Sequence, residues 1–228
     1  MPFGDTQGYI LVVAAMMIAM FAQSRVQGTY AKYSQVQARS GRTGADVARD
    51  ILYRAGLDQV KVEMVEGRLS DHYDPRARVV RLSREVFAGR SLAAFGIAAH
   101  ETGHALQHHE SYAPLAVRGA ILPVVSIGSK MAFPLFLIGM LMSFNPLMNA
   151  GILLFSAVVF FQLVTLPVEF NASNRAVELL DSGGYITGDE AGPVKQMLRA
   201  AGFTYLAATA VALANLARLL LLRNSRRH

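Results

Sequence analysis

His100-Glu101-Thr102-Gly103-His104 sets two imidazoles four residues apart with a carboxylate beside the first. On a helix, positions four apart share a face one turn along, so both rings can reach one ion while Glu101 stays free to act as a base. The run before it, from Ser91 through Leu92, Ala93, Ala94, Phe95, Ile97, Ala98 and Ala99, reads as that helix, with Ser91 as its cap. Gly96 and Gly103 lower helix propensity without breaking the pattern, and Gly103 leaves room beside an ion. The spacing points to zinc-dependent hydrolysis, with Zn2+ held by His100 and His104. The competing reading is a pair of polar residues at the rim of a core. His108 and His109 show that histidine is frequent here, and that doublet is read as the helix end.

The rest of the chain is written for lipid. Of 228 residues, 53% are hydrophobic and 17% charged, and the mean hydropathy is +0.31. Soluble domains carry about 25% charge. There is no cysteine, which excludes a thiolate zinc site, a cysteine nucleophile and a disulfide scaffold, and leaves histidine and carboxylate as metal ligands. Apolar blocks lie at residues 9–22 (extended by the uncharged residues 6–8 and 23–24), 115–144, 146–167 and 203–222. A spanning helix needs roughly 20 residues, so the first, third and fourth each suit one crossing. The first has no preceding basic residue and no small-residue cleavage site, and reads as an anchor.

The second block is long for one span and short for two. If a third zinc ligand lies beyond the third block, an even number of crossings must separate it from His100. Blocks two and three therefore cross once each, with Pro123 and Pro134 as irregularities in the second. Lys130, near the centre of that block, either snorkels at a local break or faces a wet cavity.

Charge bears on sidedness. Residues 25–114 carry 13 Lys or Arg, with Arg25, Lys32, Arg39, Arg42 and Arg49 nearest the first helix, and the amino-terminal tail carries none. The bias places this segment in the cytoplasm. Four crossings would then leave the basic ending Arg223, Asn224, Ser225, Arg226, Arg227 and His228 outside, against the same rule. The last block is either a full span or a re-entrant or interfacial helix.

Between the first two blocks, Thr43 or the following turn starts a helix through Ala45, Val47, Ala48, Ile51, Leu52 and Tyr53, ended by Gly56. Val60, Val62, Met64 and Leu69 alternate loosely, Val79, Val80 and Leu82 form a second extended run, and Asp71-His72-Tyr73-Asp74-Pro75 reads as a polar turn between them. His72 either enters the cleft to stabilise an oxyanion or bonds within that turn with Asp71 and Asp74. Glu169, just past the third block on a helix that can continue beyond Pro167, is the preferred third ligand; Glu178 and Glu110 compete, and pairing of Glu169 with Arg175 is the alternative. Asn171 and Arg175 are candidates for the layer of residues behind the ligands. Asp181-Ser182-Gly183-Gly184 ends that helix, and Thr187 with Glu190 has capping-box spacing for another whose residues 189–200 pack against the metal-bearing helices.

With motif, anchor and distal glutamate assembled, the chain resembles the membrane-bound neutral zinc metallopeptidases of the bacterial zinc peptidase 2 family over nearly its full length. The resemblance is carried by Ser70-Asp71-His72-Tyr73-Asp74-Pro75, Ala99-His100-Glu101-Thr102-Gly103-His104-Ala105-Leu106-Gln107 and Leu166-Pro167-Val168-Glu169-Phe170-Asn171-Ala172-Ser173. It implies a gluzincin-like enzyme with His100, His104 and Glu169 as zinc ligands and Glu101 as general base. Members commonly have aspartate where this chain has Asn171, and related peptidases have one where it has Ser173.

The expected architecture is mainly α and membrane-bound, with three to four transmembrane helices and a small α+β zincin-like catalytic domain at the membrane face. Its expected parts are an anchor (1–27), a catalytic region with the metal helix (28–114), two membrane helices (115–167), a third-ligand helix and packing helix (168–202), and a hydrophobic helix with a basic tail (203–228). The expected activity is endopeptidase cleavage of peptide or protein substrates, membrane-associated ones among them, in a multi-pass protein of the bacterial inner membrane with a cytoplasmic catalytic face. A zinc-binding scaffold without turnover, or a transporter using Lys130 and Arg218, are the other classes. The net charge of +6 is spread among acidic residues, so it serves topology and the lipid bilayer and not a nucleic acid.

Overall fold

The four apolar blocks fold as helices long and apolar enough to cross a bilayer. In the computed structural model, which describes residues 3–225, they are α1 (Phe3–Tyr33), α5 (Ala113–Leu141), α6 (Asn145–Ser182) and α7 (Gly188–Ser225). Between α1 and α5 lie α2 (Gly44–Arg54), β1 (Lys61–Val65), β2 (His72–Asp74), β3 (Val79–Ser83), α3 (Arg84–Phe87) and α4 (Leu92–His109). The protein is thus mainly α, with a small mixed α and β region between long apolar helices. Contacts divide the chain into one unit of Met1–Gln23, Pro114–Pro167 and Phe203–His228 and another of Ser24–Ala113 and Val168–Gly202.

In the first unit, the second block is a single helix that runs through Pro123 and Pro134, and the third block continues as helix past Pro167. Helices α5 and α6 meet where side chains are smallest. A Cβ on Gly151 would lie 2.6 Å from the Ala132 carbonyl oxygen, and one on Gly139 2.6 Å from the Met148 nitrogen. Close backbone approach of this kind supplies the dispersion contact that holds helices together where lipid competes equally for apolar surface. Phe136, Met148, Ile152 and Leu219 form the buried cluster around that contact.

Helix α7 runs antiparallel to α1. Gly8 makes room for Arg218, whose guanidinium lies 3.9 Å from the centre of the Tyr9 ring, while Met17, Ile18 and Phe21 face Phe203, Leu206, Ala207 and Ala210 across an apolar groove. This pairing along the helix length agrees with the full-span alternative for residues 203–222. The separate packing helix expected at 189–200 is instead the beginning of α7. Lys130 is exposed at the surface of its unit. Arg226, Arg227 and His228 lie outside the described residues.

In the second unit, Thr43 caps α2 through a full capping box: its hydroxyl accepts from the Asp46 N–H, and the Asp46 carboxylate accepts from the Thr43 N–H. Gly56 takes φ +69° after the helix, a left-handed conformation that glycine adopts without steric cost. The sheet order is β1-β3-β2, with β1 parallel and β2 antiparallel to the central strand. Val79, Val80 and Leu82 of β3 are buried.

Two local expectations are corrected here. Residues 72–74 form an edge strand, β2, and the turn starts only at its last residue, Asp74, which accepts from the N–H groups of Arg76 and Ala77. Leu69 belongs to no strand: β1 ends at Val65, and Leu69 has φ 55°.

Helix α4 is the centre of this unit. One face joins Tyr30, Tyr33, Val47, Ile51, Leu180 and Met197 through Leu92, Phe95 and Ala99; the other joins Leu52, Val80, Leu82 and Val86 through Ala94, Ala98 and Ala105. Burial on two sides explains why its residues are apolar around most of the circumference and mostly small.

Substituting Gly151→Ala is expected to destabilise the detergent-solubilised protein by about 1–3 kcal/mol, because the added methyl meets backbone and not a flexible side chain. Gly119→Ala on α5, where nothing lies within 4 Å of the added atom, should leave the thermal midpoint unchanged or slightly higher. Equal midpoints for the two variants would contradict the close α5–α6 contact.

Candidate metal centre

Ser91 caps α4 by accepting from the Ala94 N–H at 3.2 Å, and the helix then runs without interruption to His109. This puts His100 and His104 on one face, with ring centres 4.8 Å apart and the rings edge to face. Helix α6 brings the third group. Glu169 Oε2 lies 3.4 Å from His100 Nε2 and 3.7 Å from His104 Nε2. One donor atom from each of the three residues falls within 4.8 Å of the others. Zinc bonds to nitrogen and carboxylate of about 2.0–2.2 Å put neighbouring donors of a tetrahedron about 3.3–3.6 Å apart, so the donor set and its spacing fit a zinc ion.

Burial suits the same purpose. Glu169 is 3% exposed, while the side chains of His100 and His104 are 15% and 13% exposed, so the centre is nearly closed yet reachable. Burial alone would raise the Glu169 carboxyl, but the two imidazoles outweigh it and hold it well below the usual carboxylate range. Burial likewise disfavours a charged His104, but Glu169 and Glu101 more than offset this and hold the imidazole above its ordinary value. The negative field that does so would favour a cation between the three residues.

The atoms behind the ligands were only partly foreseeable. Ser173 Oγ lies 3.2 Å from His100 Nδ1, and Gln107 Oε1 lies 2.9 Å from His104 Nδ1, so each imidazole has a polar partner on the nitrogen opposite Glu169. Ser173 thus contacts one imidazole of the cluster. Asn171 Oδ1 accepts from Gln107 Nε2 and from Arg175 Nε, each at 2.9 Å, so its arginine contact is made by an amide oxygen. Arg175 pairs in turn with Glu110 through two hydrogen bonds of 2.8 and 2.6 Å. Gln107 drew no role from the sequence; the signal was its position three residues after His104, one turn along the same helix.

The remaining candidates fall as follows. Glu101 is next to His100 in the chain and buried at 9% exposure. Its charge reaches Asp71, whose carboxyl is raised by burial and then by Glu101, against hydrogen bonds donated by the Ser83 N–H and hydroxyl. His72 is not a member of the His-His-Glu cluster: it is exposed on β2, with Nδ1 2.8 Å from the Ser70 carbonyl and Nε2 3.4 Å from Arg81. Tyr73 ties β2 to the end of α4 through a 2.8 Å hydrogen bond to His108. Glu110 is engaged by Arg175, and Glu178 and His109 are exposed.

Comparison with known proteins agrees with this chemistry. The family described as "Putative neutral zinc metallopeptidase" matches residues 8–224. A curated relative, "Putative membrane protease YugP" of Bacillus subtilis (strain 168), is 52% identical over 212 residues, which cover 93% of this chain and 94% of the relative. No solved structure matches the chain. With a family match over almost its whole length, four helices fit to cross a membrane and a His-His-Glu cluster able to coordinate a catalytic zinc, the chain belongs to the neutral zinc metallopeptidase family as one of its membrane members.

Proposed function

We propose that the protein is a membrane endopeptidase in which His100, His104 and Glu169 hold zinc and Glu101 is the general base. The observation that carries this is the placement of Glu169 Oε2 at 3.4 and 3.7 Å from the two imidazoles, with Glu101 adjacent in sequence to the first. When bound, zinc supplies Lewis acidity to the scissile carbonyl and makes water a usable nucleophile near neutral pH. Glu101 accepts the proton of the attacking water as its oxygen bonds to the carbonyl carbon, and passes that proton to the amine nitrogen as the C–N bond breaks. The burial of Glu101 limits competition from bulk water for that proton. His72, already engaged by Ser70 and Arg81, is given no step.

The substrate class follows from the strand beside the metal helix. As an edge strand, β2 offers backbone groups to an extended peptide, and backbone pairing recognises chain and not side chains. Peptide segments of membrane-associated proteins suit a protease anchored by apolar helices. Sidedness is supported by charge close to the membrane helices, where the rule is strongest. Arg25, Lys32, Arg39, Arg175, Lys195 and Arg199 flank them within the unit that holds the metal centre, against Arg218 and Arg223 near the end of α7 and Arg226 and Arg227 after it in the sequence. We therefore take the metal centre as cytoplasmic, with both chain ends on the outer face of the inner membrane.

Purified protein should hold about one zinc per chain. Glu101→Gln is expected to keep the metal and lower peptide hydrolysis by about 10²–10⁴-fold, the usual weight of a general base. The double change His100→Ala with His104→Ala should lose the metal; retention would sink the ligand assignment, and stoichiometric zinc in a wild type that cleaves no peptide would favour a scaffold.

Because the chain has no cysteine, single replacements report topology cleanly. A membrane-impermeant thiol reagent applied to intact cells should label Ser225→Cys and spare Ser40→Cys, with the pattern reversed in inverted vesicles. The opposite result would place the metal centre outside the cytoplasm.

A further inference from the structure

We propose that Gln107 is a positioning residue that fixes the metal-binding tautomer of His104 and seats α4 against the backbone of α6 at Glu169; this rests on the zinc reading above. Gln107 is fully buried. Its Nε2 donates to the Val168 carbonyl and to Asn171 Oδ1, each at 2.9 Å, so both of its N–H groups are used. The orientation of the amide follows from those partners. A backbone carbonyl can only accept, and Arg175 Nε, which shares Asn171 Oδ1, can only donate. The nitrogen end of Gln107 must therefore face α6, and its oxygen must face His104 Nδ1 at 2.9 Å.

From this the protonation of the ring follows. An amide oxygen only accepts, so Nδ1 of His104 is held protonated, and Nε2, the nitrogen facing Glu169, is the one left to give its lone pair to a metal. That is the tautomer able to bind a metal through Nε2. The second half of the contact bears on the third ligand, since Val168 directly precedes Glu169 in α6. One side chain thus couples a ligand on α4 to the backbone that carries a ligand on α6. The short reach it needs is available because Gly103, one turn earlier, brings the two helices together: a Cβ there would lie 3.1 Å from the Ala172 carbonyl oxygen. Asn171 is itself held from behind by Arg175, which is fixed by Glu110. No apolar residue can serve, and only a group that accepts and donates at once satisfies both helices.

The test is zinc affinity, measured by chelator competition on the full-length protein in detergent, beside the thermal midpoint of the metal-free protein. Gln107→Leu is expected to weaken zinc binding about 10–100-fold, the usual cost of removing a partner behind a ligand. Gln107→Glu keeps an acceptor for His104 in either protonation state and should bind zinc within about threefold of wild type, while its metal-free midpoint falls because at least one donor toward α6 is lost. If the amide only filled space, affinity and midpoint would fall together in both variants. Zinc affinity of Gln107→Leu within threefold of wild type, or an equal loss in Gln107→Glu, overturns the proposal. Should Gln107→Leu not accumulate folded, Gln107→Met, closer in length, carries the same expectation. A wild type that binds no zinc would bring down the zinc reading and this inference together; wild-type binding with indifferent variants would bring down only this one.

Discussion

The structure of the second unit depends on how closely α4 and α6 approach at Gly103 and Ala172. Both imidazoles come from one helix and the carboxylate from the other, so the spacing of the three donors is set by that single crossing. A methyl group on Gly103 would press on backbone, which cannot swing aside as a side chain can. The polar groups around the crossing extend the same constraint: Ser173 reaches His100, Gln107 reaches His104 and Val168, and Asn171 links Gln107 to Arg175. Packing brings the helices near, and hydrogen bonds choose their register.

The legibility of these parts in the sequence follows from how local their causes are. His100 and His104 were readable because helical periodicity alone puts them on one face. Ser91 and Thr43 were readable because a cap depends on residues three positions away. Glu169 was reached over 65 residues by its place just past the third block, by the condition that both parts of a zinc site lie on one side of a membrane and by the family resemblance, none of which is a local pattern. Gln107 and Ser173 were legible only in part: Gln107 sits one turn from His104 and Ser173 at a position where an aspartate was expected, but their partners across the α4–α6 crossing, Val168 and His100, leave no local signal. His72–Asp74 was misread because three residues are too few for alternation to show, and Asp74 belongs both to the strand and to the turn after it. The unity of α7 was masked by Lys195 and Arg199, which break the apolar pattern but not the helix.

The membrane helices illustrate a different balance. Hydropathy located all four, since a run of apolar residues is a sufficient signal by itself. Their mutual arrangement is carried by residues with the least side chain. Gly151 and Gly139 set the α5–α6 contact, and Gly8 admits the stem of Arg218 beside Tyr9. Glycine is a poor helix former in water, yet in lipid the backbone contact it permits outweighs that weakness.

Helix α4 has no spare side. It is packed on two faces, Gly96 lies 2.7 Å from the Met197 methyl by its would-be Cβ, and Gly103 lies against Ala172. A helix so enclosed leaves evolution little freedom to retune the centre from within, because nearly every enlargement strikes a neighbour. Room for change remains at its carboxy-terminal end, where His108 and His109 are exposed.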